Sequence, residues 1–250
     1  MQLKKNKKII LWIDIGTHRG QEIMAALGPQ WLILARFVRR FLSAHIFRRG
    51  VPYSWKSLSS IRKKRLEIAR RAQFKTIVVE PNIELFSQPI YKFADHAFGL
   101  ALGRSAQAEL TKLYFIEGAR KGQGSSIFES KKNTSPDDYS LSPLLDPAHF
   151  FSSLKSLLPG DFGGSEYDVI LRINCEGSES EIIRDCHAVY GQQLKLVMGS
   201  LKDVGEIKGA HELASLKSFL DLNQIRFVPF SSLWESWPDA LDAIVTSLRK

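Results

Sequence analysis

An apolar run that ends on an acid and then turns through two glycines limits most sharply what this chain can fold into. Residues 9–21 read Ile-Ile-Leu-Trp-Ile-Asp-Ile-Gly-Thr-His-Arg-Gly-Gln. Such a run is a buried parallel strand, and Gly16 and Gly20 carry it through a tight turn into a helix. Glycine lets backbone approach a ligand there, while fresh helix N–H groups and the acid Asp14 supply polar contacts.

Further apolar runs extend this into a sheet. Strands are expected at Ile9–Ile15, Thr76–Glu80, Ala97–Leu102, Leu110–Phe115, Asp168–Asn174, Leu194–Gly199 and Arg226–Phe230. Several lack polar alternation, as parallel strands covered on both faces do. Helical patterns separate many of them, including Glu179–Cys186 and His211–Leu222. Ser236-Trp-Pro-Asp239 has the form of a capping box, opening a last helix with Leu241, Ile244, Val245 and Leu248 on one face. The alternation predicts one α/β domain, 1–250, with a doubly wound, Rossmann-like sheet. Leu110–Phe115 follows its predecessor too closely for a helical crossover, which predicts a local hairpin.

Two segments interrupt this plan. Residues 118–140, rich in Gly, Ser, Lys and Asp, read as a mobile loop over one end of the sheet. Residues 29–74 read as a basic helical insertion between the first strand's turn and the second strand. Residues 31–75 hold thirteen Lys/Arg and one acid, Glu67, for a charge of +12, whereas the remainder carries −3. A first helix starts after Gly28-Pro29, with Trp31, Leu34, Val38, Phe41 and His45 on one face and Arg36, Arg39, Arg40 and Ser43 opposite. A second, Ser57–Ala72, follows 50–53 and carries Arg62, Lys63, Lys64, Arg65, Arg70 and Arg71. The segment reads as a structural lid with solvated arginines, as a contact with an anionic membrane surface, or as a nucleic-acid contact. No stacking aromatic pattern accompanies the charge, which places nucleic acid below membrane.

Composition bounds the remaining classes. The chain has 250 residues, 44% of them hydrophobic and 24% charged, as in an ordinary soluble domain. No apolar run is long enough to cross a bilayer. The lysine-rich start reads as a basic lead-in to the first strand rather than a signal peptide, because its apolar run continues into the glycine turn. Cys175 and Cys186 are expected to be reduced thiols, and six histidines without paired spacing predict no metal site. The expected location is the cytoplasm, with peripheral contact at the inner membrane surface.

In doubly wound folds, ligands sit at the carboxyl ends of strands near the reversal of strand order. Asp14 and Gly16 close the first strand, Glu80 closes the second, and Asn174 with Glu176 closes the Asp168–Asn174 strand. An acid ending the second strand is the usual partner of a ribose diol. Gly16 and Gly20 are separated by Thr-His-Arg, so the turn lacks the G-x-G of a dinucleotide site, and it has no G-K-[ST]. A nucleoside without pyrophosphate is favoured.

These pieces resemble the FkbM-type family of S-adenosylmethionine-dependent methyltransferases. Ile13-Asp-Ile-Gly-Thr-His-Arg-Gly-Gln21, Val79-Glu-Pro-Asn82, Gly124-Ser-Ser-Ile127 and Ile170-Leu-Arg-Ile-Asn-Cys-Glu-Gly-Ser-Glu179 carry the resemblance, which covers most of 9–186. It implies a class I methyltransferase fold and O-methylation of a sugar, glycoconjugate or small-molecule hydroxyl. It also implies that Asp14, Gly16, Thr17 and Gly20 surround the methionine end of S-adenosylmethionine. Glu80 and Pro81 then lie at the ribose and Ala101 near the adenine. Asn174 stands where the family usually has Asp, keeping shape but not basicity. Glu176 and Glu179 are the candidate base or acceptor-orienting groups, with His149 third; Ser125 and Ser126 are candidates for the acceptor side. Equally, Glu179 caps a helix, Glu176 orders its turn, and the serines are plain loop residues. The alternative function is a catalytically weakened or non-enzymatic cofactor-binding module with a membrane- or nucleic-acid-facing insertion.

Overall fold

The computed structural model describes residues 7–45, 54–116, 124–132, 134–158, 166–231 and 233–249; the side chains of Arg40, 43–45 and Trp234 lie outside the description. The side chain of His45, expected on the apolar face of the first helix, and residues 50–53 therefore lie outside the description.

Six parallel strands form the central sheet, in the order β3-β2-β1-β7-β8-β9. They are β1 (Lys8–Ile15), β2 (Ala72–Val79), β3 (His96–Phe98), β7 (Tyr167–Ile173), β8 (Leu194–Gly199) and β9 (Arg226–Pro229). The order reverses between β1 and β7, which pair from Ile9↔Tyr167 to Ile15↔Ile173. A mostly parallel sheet covered on both faces is a Rossmann-like arrangement.

Strand pleating divides the core. In β1, Ile10 and Trp12 join one buried cluster, while Leu11, Ile13 and Ile15 join the other. The first cluster is covered by α1 (Gln21–Leu27), α2 (Gln30–His45), α3 (Trp55–Arg71), α4 (Pro89–Phe93) and α8 (Trp237–Ser247). The second is covered by α5 (Pro147–Leu157), α6 (Glu179–Tyr190) and α7 (Ala210–Leu222). Each fully buried large apolar side chain contributes about 1.5–3 kcal/mol, so both faces are needed. Local chemistry sets several helix starts. Asp146 accepts the N–H of Ala148 at 2.9 Å, with Pro147 at the first helical position of α5. Ser54 does the same for α3 through Ser57.

A second sheet, ordered β4-β6-β5, comprises β4 (Ala101–Leu102), β5 (Glu109–Ile116) and β6 (Thr134–Leu145). It corrects two expectations. The run Ala97–Leu102 is split, with β3 pairing β2 and β4 pairing β6 through Ala101↔Leu144 and Leu102↔Leu145. The hairpin of Leu110–Phe115 is made forward with β6, not backward with its predecessor. The expected loop therefore contains a strand from Thr134 onward, while 117–123 and 133 lie outside the described residues. Pro136 and Pro143 disguise β6 in the sequence. They are tolerated because the strand pairs with β5 alone over most of its length.

The basic segment needs a larger correction. α3 runs directly into β2, which begins at Ala72 rather than Thr76, and buries Leu58, Ile61 and Ile68 in the first cluster. It is the crossover helix between β1 and β2, so the departure from a plain doubly wound plan narrows to α2. On α2 the buried face is Ile33 and Phe37, whereas Trp31, Leu34 and Val38 are 65%, 48% and 43% exposed. Phe37 lies 4.6 Å from the Trp55 ring. Two apolar stripes run along this helix, and the one carrying Ile33 and Phe37 enters the first core cluster.

Ser236 also departs from expectation. Its side chain caps nothing, because its hydroxyl donates to the carbonyls of Ser231 and Leu233 and anchors the preceding single turn.

Candidate functional site

A cleft of about 940 Å³ opens at the carboxyl ends of β1, β2 and β7, where the strand order reverses. Its floor is the glycine turn. Gly16 has φ +69°, and a Cβ there would stand 2.0 Å from the Asn174 carbonyl oxygen. Glycine is thus required for the β1 and β7 ends to touch. The N–H groups of Gly16 and Thr17 both donate to the Val79 carbonyl, tying the turn to β2. Gly20 (φ +59°) instead faces α4, where a Cβ would lie 2.4 Å from Ile90, and it does not line the cleft.

Asp14 does not reach the cleft. It is fully buried behind Arg172, which donates to Asp14 Oδ1 at 3.0 Å and to the Gly16 carbonyl at 2.7 Å, and pairs with Glu22 at 3.3 Å. The adjacent strand supplies this guanidinium because Asp14 and Arg172 are register partners. Burial raises the Asp14 carboxyl to about 6 against the opposing pull of Arg172. When ionised, the trio of Asp14, Glu22 and Arg172 carries a net single negative charge. Sequence reasoning overlooked this arrangement; its only signal is the arginine aligned beside Asp14 in a neighbouring strand.

Glu80, just past β2, is buried and faces the cleft. One carboxylate oxygen accepts the His18 N–H at 2.7 Å and the other accepts the Asn82 N–H at 3.0 Å. Burial nevertheless raises its pKa to about 7. His18 adopts φ +50°, and Tyr91 donates to its carbonyl at 2.7 Å. Burial lowers the His18 imidazole, with Arg19 adding to the effect, which favours its neutral form. His18 Nε2 and Arg172 Nε are buried without a hydrogen-bond partner among the described residues. Thr17, Pro81 and Ala101 also line the cleft.

The opposite wall is built by the second sheet. A bridge between Tyr114 and Ser126 brings 124–132 against β5, and Ser126 donates to the Glu176 carbonyl at 2.8 Å while accepting the Phe128 N–H. Ser125 and Ser126 both line the cleft, and Ser126 also orders its wall. Lys131 pairs with Glu176, donates to the Gly124 carbonyl at 2.9 Å and stands 3.9 Å from Asp203. Burial raises the Glu176 carboxyl; Lys131 opposes the rise and Asp203 reinforces it. Lys131 and Asp203 escaped the sequence reading. Lys131 has no local signal. Asp203 had one, an acid shortly after the β8 carboxyl end.

The remaining candidates separate. Asn174 and Glu176 line the cleft; Glu179 and His149 do not. Glu179 is fully buried and accepts the N–H groups of Cys175 and Gly177, each at 2.9 Å, so it orders the turn that presents Glu176. His149 lies on α5, away from the cleft. Cys175 and Cys186 are free thiols, each held in its neutral form by burial. Comparison with protein-family models, curated proteins and solved structures finds no match to this chain.

Proposed function

We propose that this chain is an S-adenosylmethionine-dependent methyltransferase whose acceptor is a hydroxyl of a sugar or glycoconjugate. The observation that carries this reading is Glu80. Two backbone donors hold its carboxylate at the end of the second strand, leaving lone pairs on both oxygens for a ribose diol. The resemblance to FkbM-type methyltransferases supports the same assignment, in a class I fold. The strand order is shared with dinucleotide-binding domains, but the turn is not, since the position of a second glycine is taken by His18.

The residues present fit this cofactor. Glu22 and Arg172 both line the cleft, offering a carboxylate to an ammonium group and a guanidinium to a carboxylate. When bound, the cofactor supplies an electrophilic methyl group. The protein's own part is to orient the acceptor, exclude water and accept its proton. Glu176 is the proton acceptor on the cleft wall, with Lys131 and Asp203 setting its charge. A second reading, a cofactor-binding module with weak catalysis, is favoured by one observation: Asn174, not Asp, lines the cleft.

Calorimetry and methyl transfer to a glycan panel test both readings. Glu80→Ala is expected to weaken S-adenosylmethionine binding about tenfold or more, since a charge-assisted hydrogen bond contributes ~1.5–3 kcal/mol. Glu176→Ala is expected to keep binding and lower turnover about 10²–10⁴-fold. No binding heat from the unaltered protein would overturn both readings. Binding without transfer to any acceptor would leave the module.

A further inference from the structure

Trp31, Leu34, Val38 and Leu42 form an apolar stripe along α2 that no described residue covers; Leu42, like the other three, is exposed. It lies opposite Ile33 and Phe37, which enter the first core cluster. α3 packs into that cluster through Leu58, Ile61 and Ile68, so the far sides of both helices look outward from one face of the molecule. On α3 that outward side presents Trp55, Leu66, Arg62 and Lys63. Trp55 joins the two helices, with its ring 4.6 Å from Phe37 and 6.1 Å from Phe41.

We infer that this face docks on an anionic lipid bilayer. Arg39, Lys56, Arg62, Lys63 and Arg70 are exposed and pair with no carboxylate among the described residues, so their charge is available to a partner. An apolar stripe with a tryptophan at one end, flanked by arginine and lysine, matches a bilayer's headgroup–acyl boundary. A second copy of the chain fits poorly, because it would bring two sets of these exposed cations together. Nucleic acid would meet the cations but leave the stripe in water. Among the described residues no helix is long and apolar enough to cross a membrane, so the contact is one of surface docking. Arg36 lines the cleft from the opposite side of the same helix, so α2 carries the docking stripe and a cleft residue on different faces. The docking itself does not depend on methyl transfer.

The test is co-sedimentation of the full chain with phosphatidylcholine vesicles, with or without phosphatidylglycerol. Binding is expected only with the anionic lipid and is expected to weaken as salt rises. Arg62→Gln and Lys63→Gln should each weaken it about fivefold, which corresponds to ~1 kcal/mol per charge near the surface. Leu34→Ser with Val38→Ser should reduce it about tenfold or more while leaving the melting temperature unchanged, since both positions are exposed. Equal binding to neutral vesicles, or unaltered binding by the Leu34→Ser/Val38→Ser variant, would overturn the inference. So would a dimer in analytical ultracentrifugation that this variant dissociates, because the stripe would then belong to a second copy. Binding to single-stranded RNA with no vesicle binding would overturn it as well.

Discussion

Glu80 shows how one residue ties stability to recognition. Burial raises its carboxyl from the ordinary 4.5 to about 7 despite two backbone donors. The folded protein therefore holds this proton more tightly than the unfolded chain does. The resulting stability is full below about pH 4.5 and is lost as pH rises through about 7. Asp14, raised to about 6, and Glu179, raised to about 7, act in the same direction. The melting temperature of the ligand-free protein is thus expected to fall across this window, and Glu80→Gln should flatten part of the fall. Ribose hydroxyls donate to the ionised carboxylate, so nucleoside affinity should rise as pH passes about 7. Calorimetry at a series of pH values checks this, and a flat affinity profile would contradict it. The acid was legible in the sequence from its place after an apolar run; its raised pKa was not, because burial is a tertiary property.

Arg65 illustrates the same divide among the elements. In sequence it is one of a run of cations on α3, yet it is buried. Its Nε donates to the Ala26 carbonyl at 3.3 Å, and its Nη2 donates to the Gly28 carbonyl, satisfying the end of α1. Burial lowers its pKa to about 10. Arg65→Leu should therefore destabilise the fold by about 2–4 kcal/mol, because two buried carbonyls lose their donor. Urea denaturation measures this; a change within ~0.5 kcal/mol, typical of a surface site, would show that α1 is capped by other means. Apolar runs announced most strand and helix positions correctly. α2 was harder, because Trp31/Leu34/Val38 and Ile33/Phe37 are both plausible faces at helical spacing. Burial of Ile33 and Phe37 in the first core cluster distinguishes them.

At the scale of the whole molecule, one sheet carries a buried cluster on each face, and β1 and β7 contribute side chains to both. Trp12 is fully buried at the centre of β1, and Trp12→Ala should cost about 3–5 kcal/mol. The loss should appear as a single shifted transition followed alike by circular dichroism and fluorescence. Two separate transitions would show that the faces unfold independently. The parallel sheet, its glycine turn and the acid after the second strand are legible in the chain without the fold. Those features are local: apolar continuity, glycine's tolerance of positive φ and the position of a charge at a run's end. The β4-β6-β5 sheet, the Arg172 bridge to Asp14, the Lys131–Glu176–Asp203 wall and the outward apolar stripe of α2 emerge only once the chain is folded. Each joins groups distant in the chain or selects between equivalent helix faces, and local pattern carries no information about which distant partner packs best.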